Sequence, residues 1–298
     1  MANVITDAET GLVVANDMKK VREVDFVSQF THNSLAKLIE ALGVTRKIPM
    51  MEGTTMYVYS VTGSLDTNPV GEGEVIPLSH YTTTKTAIGD ITLKKYRKAV
   101  SAEAIKKSGY ASAVLDTDAK LLKDVQAEIR TDLFATLNGT ISGSVTATGV
   151  GLQSALADAW GKLQVAFEDD TAEAVYFVNP TDIADYLKTA QITVQTAFGM
   201  NYVENFLGLG TVIVSSKVTA GTFVATAKEN IVMYYLTMNG DLADAFSLTA
   251  DELGYIGIKS GYQNEERAQI ESLVMDGIRF APEYSAGVIK GTITKSQG

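Results

Sequence analysis

The first recurring pattern of apolar and polar positions lies between residues 26 and 42. There Phe26, Phe30, Leu35, Leu38, Ile39 and Leu42 fall at loosely helical spacing, and Gly43 offers a stop. Residues 1–25 are mixed and polar without a period, which predicts an extended arm. The run MYVYSV, 56–61, is aromatic and β-branched and predicts a strand. A second strand is predicted over 82–96, TTTKTAIGDITLKKY, with a bulge or bend at Gly89-Asp90. Between these two runs lie about 20 residues with no element of their own, a length uncommon inside a compact domain. Their latter part, VGEGEVIPLSHY over 70–81, is acidic and glycine-bearing. The expectation is an extended two-stranded flap with this stretch at its tip. A lone hairpin is marginal in water, so an ordered flap needs a supporting surface, either its own domain or a neighbour.

The strongest helix is predicted over 116–138, with Leu122, Val125, Ile129, Leu133 and Leu137 as its apolar stripe. Asp116, Thr117 or Asp118 can cap it and Gly139 can end it, giving a rod of roughly 33 Å. Lys120, Asp124, Glu128 and Thr131 form a solvated opposite face. TISGSVTATGVG, 140–151, is small, polar and glycine-rich and reads as a domain boundary. After it the pattern turns α/β. A helix is predicted over 152–167 with the single tryptophan, Trp160, and a buried strand over 174–178. Asn179-Pro180 breaks that strand, and Thr181 or Asp182 opens a short helix. Further strands are predicted over 211–215, 222–226 and 231–235. A strand pair over 254–258 and 268–274 is joined by KSGYQNEER, 259–267, and a last strand lies near 288–293.

Composition narrows the chemistry. The 298 residues suffice for one large domain or two modest ones. The formal net charge is -10 and the 25 basic residues are scattered, the densest group being Lys94-Lys95-Tyr96-Arg97-Lys98. That balance argues against tight, sequence-independent DNA binding. The chain has no cysteine, which excludes disulfides and thiolate metal sites, and its two histidines, His32 and His80, have no motif neighbours. No signal peptide and no apolar run of membrane-spanning length is apparent, so the expectation is a soluble protein made in a reducing cytoplasm, with no membrane partner.

Catalytic motifs are missing. There is no GxxxxGK[ST] loop and no GxSxG elbow, and Gly208-Leu-Gly210 lacks the third glycine of a dinucleotide fingerprint. Asp169-Asp170 lacks the spaced oxygen ligands of a calcium loop and reads as a solvated turn. Glu72 and Glu74 are two apart and would share a side of an extended segment, yet on a wet flap tip nothing tunes them for acid-base work. They read as solubilising or as ion-pairing with another subunit. No catalytic, cofactor-binding or metal residue is assigned, and no cofactor is expected.

The order of these elements resembles that of the major capsid proteins of tailed bacteriophages, the Hong Kong 97-like fold. GEGEVIPLSHYTTTKTAIGDITLKKYRKAVSAEAI, 71–105, is similar to that family's extended loop and its entry into the peripheral domain. FVNPT, 177–181, is similar to the strand and Asn-Pro turn of the axial domain, and MDGIRFAP, 275–282, to the closing segment.

The resemblance implies an α+β fold. Residues 1–48 would be an N-terminal arm and short helix, and 49–97 the extended β-hairpin loop. Residues 98–139 and 246–282 would form a peripheral domain built on the long spine helix, and 140–245 and 283–298 an axial α/β domain. It implies a structural protein, not an enzyme, that assembles with itself as hexamers and pentamers into an icosahedral shell around double-stranded DNA. The subunit would locate to the virion capsid after assembly in the host bacterial cytoplasm.

The partners implied are a separate scaffolding protein, since few residues precede the flap, a portal, and in some relatives a decoration protein. Contact with packaged DNA would be weak and non-specific. Assembly contacts are expected at Glu72, Glu74, Lys85, Lys94, Lys95, Arg97, Glu265, Glu266 and Arg267. Some relatives cross-link a loop lysine to an asparagine, and Lys85 and Asn264 hold loosely comparable places; the expectation here is an uncross-linked chain, a single 31.9 kDa species after denaturation. The alternatives are an encapsulin-like nanocompartment shell, another self-associating surface or tail protein, and an α/β hydrolytic enzyme with a β flap, its site around Asn179, Thr181 and Asp182.

Overall fold

The computed structural model describes residues 35–139, 145–167, 172–188, 194–197, 200–250 and 253–295. The expected N-terminal arm up to residue 34, with His32, and the Asp169-Asp170 turn lie outside the described residues.

In chain order the elements begin with α1 (Ala36–Leu42), β1 (Arg46–Met50), β2 (Thr55–Ser64), β3 (His80–Asp90), β4 (Lys94–Ser101), α2 (Ala102–Ser108) and α3 (Asp116–Asn138). Then come β5 (Val145–Val150), α4 (Gly151–Ala166), β6 (Ala174–Val178), α5 (Pro180–Leu187), β7 (Gln195–Ala197), β8 (Met200–Val203), β9 (Gly210–Val214), β10 (Thr222–Ala227) and β11 (Ile231–Leu236). The chain continues with α6 (Asp241–Phe246), β12 (Thr249–Ala250), β13 (Ile256–Asn264), β14 (Gln269–Asp276), β15 (Ile278–Pro282) and β16 (Val288–Thr294). They fall into two compact units.

The larger unit spans Ser34–Thr92, Gln126–Leu236 and Gly277–Gly298. Its centre is a seven-stranded mixed sheet in the order β5-β16-β10-β6-β9-β8-β7. The AVYFV run of β6 has no polar position because both of its faces are covered. Tyr176 and Val178 join Ala155, Leu156, Ala159 and Leu163 of α4 in one core layer. Phe177 points the other way, and its ring meets Phe134 of α3 edge-on at 5.6 Å.

Register places Gly291 opposite Phe223, and a Cβ on Gly291 would lie 2.1 Å from the phenyl ring, so the missing side chain makes room for the aromatic. A three-stranded sheet, β1-β11-β15, and the two-stranded β2-β3 ribbon complete this unit.

The smaller unit includes Leu93–Val125 and Thr237–Asp276 and holds a four-stranded antiparallel sheet, β12-β13-β14-β4. Helix α3 enters from a five-residue π turn, Ala111–Leu115. The Thr117 hydroxyl donates back to the Ala113 carbonyl at 2.7 Å. Asp118 is buried and receives Lys98 Nζ at 2.5 Å and the Ser260 hydroxyl at 3.1 Å. The expected stripe holds for Val125, Ile129, Leu133 and Leu137, joined by Phe134, whereas Leu122 is only half-buried.

Three expectations are corrected. The strand expected over 82–96 is two strands in two sheets. The chain leaves the ribbon after Asp90, Ile91 becomes fully buried, and β4 then pairs with β14. Lys94 to Lys98 therefore belong to the four-stranded sheet and not to the base of the flap. The 259–267 linker is mostly strand, because β13 runs to Asn264 and leaves four residues in the turn, Glu265 to Ala268. The later half of the glycine-rich boundary, 145–150, is strand β5, since its β-branched Val145, Thr146, Thr148 and Val150 favour extended backbone and the segment pairs in parallel with β16.

Candidate functional site

The β2-β3 ribbon is held at its base by buried Met56 and Val58 and by Tyr59, whose N–H donates to the Glu283 carbonyl. From Val61 outward both strands are exposed. The ribbon is two-faced: Ser60 and Thr62 stand opposite Thr84 and Thr82, while Tyr59 and Val61 stand opposite Lys85 and Thr83. Lys85 Nζ lies 4.6 Å from the Tyr57 ring centroid, a cation–π contact along the ribbon.

At the tip, Glu72 and Glu74 do not lie along one extended segment. Residues 71–74 form a turn closed by the Glu74 N–H on the Gly71 carbonyl at 3.1 Å, with Gly73 at φ +84°. The Glu74 carboxylate accepts from the Gly71 N–H at 3.0 Å. Beyond the turn Val75, Ile76 and Leu78 are 92%, 76% and 94% exposed. Sequence reasoning dwelt on the two glutamates and passed over these three residues. The available signal was three large apolar side chains in a segment with no periodic partner.

The second locus is the end of the β13-β14 hairpin in the smaller unit. Glu265, Glu266 and Arg267 sit in its exposed turn, where Ala268 takes a left-handed φ of 48°. Beneath them Glu271 is buried. Its carboxylate accepts from the Tyr262 hydroxyl at 2.7 Å and from Asn264 Nδ2 at 2.9 Å, and Arg97 reaches both oxygens at 3.1 and 3.2 Å. Arg97 and Asn264 thus have partners within their own chain. Beside this cluster lies an apolar groove of about 380 Å³ lined by Ala102, Ile105, Lys106, Asn264, Ala268 and Ile270. Lys95 is exposed on β4 and Lys94 is half-buried.

The Tyr262 and Asn264 hydrogen bonds, followed by the charge of Arg97, hold the Glu271 carboxyl below its ordinary value of 4.5. A group whose native pKa is depressed stabilises the fold above its unfolded pKa, and that contribution disappears as pH falls through the native value. Glu271→Gln should therefore flatten the acid limb of the stability profile below about pH 4.5. Urea unfolding at several pH values between about 2 and 7 checks this; an unchanged acid limb would refute it.

The residues suggested as an enzyme site have structural partners. Asn179 Oδ1 caps α5 by accepting from the Thr181 N–H at 3.0 Å, and its Nδ2 donates to the Val218 carbonyl at 2.6 Å. Asp182 is buried and accepts from the Gly221 N–H at 2.9 Å. The helix cap is therefore Asn179, with Pro180 in the first turn, in place of Thr181 or Asp182. Among the described residues no group of three or more His, Asp or Glu side chains is placed to hold a metal ion.

No family model matches the chain, and no curated protein matches it. Solved structures do. A chain of the capsid structure of cyanophage P-SCSP1u aligns with a TM-score of 0.52 at 7% identity, over 84% of this chain and 86% of that one. A structure from Microbacterium phage Oxtober96 aligns at 0.51 and 12% identity, over 86% and 90%. Both share their architecture with this chain. The chain has the Hong Kong 97-like fold, of the α+β class.

Proposed function

We propose that this chain is a major capsid protein, many copies of which assemble into the icosahedral shell of a tailed double-stranded DNA bacteriophage. The observation that carries the reading is the ribbon tip. A segment bearing three large exposed apolar side chains is costly to leave in water and is explained by a second copy that covers it. The capsid origin of the cyanophage neighbour supports the same reading.

In this scheme the extended loop is carried by β2 and β3. The peripheral domain is 98–139 with 246–282, and the axial domain is 140–245 with 283–298. The chain meets itself in hexamers and pentamers and works with a separate scaffolding protein and a portal. Glu72, Lys85, Lys95, Glu265, Glu266 and Arg267 are proposed as the polar contacts between copies, and the shell is held without covalent cross-links. With a net charge of -10 the contact with packaged DNA is weak, so packaging relies on a motor and not on affinity. Assembly takes place in the host bacterial cytoplasm; no described helix is long and apolar enough to cross a membrane.

Negative-stain microscopy of the purified chain, with and without its scaffolding partner, is the test. Closed shells are expected. Dispersed monomers at all concentrations would overturn the proposal, and closed shells loaded with a protein cargo would move it to a nanocompartment.

A further inference from the structure

Strand β5 ends the seven-stranded sheet and, among the described residues, pairs with one strand only, β16. Its sequence, VTATGV, is β-prone and carries no charge and no proline, and Val145 and Val150 are exposed. An open edge of this kind is a template for strand addition. Other edges in the fold protect themselves. β4, at the margin of the four-stranded sheet, carries Lys94, Lys95, Arg97 and Lys98, and β1, at the margin of the three-stranded sheet, carries Arg46, Lys47 and Pro49. β5 has no such residue of its own.

The protection comes from α4. Asp158 Oδ2 accepts from the Thr148 N–H at 3.0 Å, Lys162 Nζ donates to the Thr146 carbonyl at 2.9 Å, and the two side chains bond each other at 2.6 Å. In a parallel ladder one residue of the neighbouring strand donates its N–H to the carbonyl of residue i−1 and accepts from the N–H of residue i+1. With Ala147 as residue i, the lysine occupies the donor place and the aspartate the acceptor place. We propose that the Asp158–Lys162 pair stands in for one residue of an eighth, parallel strand opposite Ala147, and so closes the β5 edge to strand addition by a second copy of this chain.

Two features hold the pair in place. Helix α4 follows β5 directly and presses on it, so that a Cβ on Gly149 would lie 2.2 Å from the Ala155 nitrogen. The Lys162 hydrogen bond, followed by that from the Thr148 N–H, also lowers the pKa of the Asp158 carboxyl and keeps it an acceptor. The inference does not rest on the shell reading.

The test separates donor–acceptor order from simple charge pairing. The double exchange Asp158→Lys with Lys162→Asp keeps composition, net charge and an i,i+4 pair, but it sets donor against donor at Thr148 and acceptor against acceptor at Thr146. In the full-length wild-type chain the Thr148 amide should be protected in hydrogen exchange. In the exchanged variant, with its helix content verified by circular dichroism, that amide should exchange at least about tenfold faster, and concentration-dependent, thioflavin-positive association should appear. The Asp158→Ala, Lys162→Ala variant should behave alike. Adding Thr146→Lys should suppress the association without restoring protection. A freely exchanging Thr148 amide in the wild-type chain overturns the proposal. So does an exchanged variant that stays protected, or one that loses protection without associating.

Discussion

Replacing Val75, Ile76 and Leu78 together with aspartate is expected to abolish particle formation while leaving the subunit folded. The three side chains are almost wholly in water in the isolated chain, so their loss removes little from the subunit's own core. Covering each on a neighbour contributes roughly 1.5–3 kcal/mol, so the triple change weakens every such contact by on the order of 5 kcal/mol. At 1.4 kcal/mol per decade this is more than about a thousandfold. Three new carboxylates in the buried contact add a desolvation cost of the same sign. Light scattering and negative stain should detect subunits or small oligomers under conditions where the parent forms shells, with a melting temperature of the unassembled chain within about 2 °C of the parent's. Shells at wild-type yield would remove the main support for the assembly reading. Glu72→Gln is the matched control. It changes an exposed charge in the same segment and should alter assembly far less, as expected of a rim contact.

The reasons that some of this was legible in the sequence and some was not are local and physical. The apolar stripe of α3 and the unbroken AVYFV of β6 are direct prints of one-sided and two-sided burial, and both elements appear where the pattern puts them. The ribbon and the β13-β14 pair were legible from β-branched runs flanking glycine-bearing or charged turns. The change of sheet at 91–93 was not, because the residues on either side are equally β-prone and only burial of Ile91 separates the two strands.

Periodicity also says which residues form strands without saying which strands pair. The order β5-β16-β10-β6-β9-β8-β7 joins segments far apart in the chain and follows from tertiary packing. β5 itself was hidden within a glycine-rich stretch, and its one glycine, Gly149, is there to admit α4. At the candidate contacts, charge was the visible signal and exposure was not. Glu74 and Arg97 were chosen for their charge, and both have hydrogen-bonding partners within the chain. The exposed Val75, Ile76 and Leu78 look like ordinary core residues until the fold shows that nothing among the described residues covers them.

The largest loss of stability is expected from Gly210→Ala. Gly210 opens β9 opposite Ala174, at φ +139°, a region closed to residues with a side chain. A Cβ there would lie 2.1 Å from the Ala174 carbonyl oxygen, so the methyl meets main chain that cannot rotate away. Relief requires β9 to shift from β6 at the centre of the seven-stranded sheet, where Val212 and Val214 pack in the same core layer as Tyr176 and Val178. Backbone strain and overpacking act in the same direction, and their sum is on the order of 3 kcal/mol. For a protein of this size that lowers the melting temperature by roughly 6–12 °C. Gly161→Ala provides the contrast. Gly161 lies within α4, a Cβ there would meet nothing within 4 Å, and the change should stabilise the chain by about 0.5–1 kcal/mol through helix propensity. Scanning calorimetry of the two variants beside the parent should place their melting temperatures on opposite sides of it. If Gly210→Ala melts with the parent, the tight β6-β9 approach is not what the sheet depends on, and the account of the larger unit's core given above fails at that point.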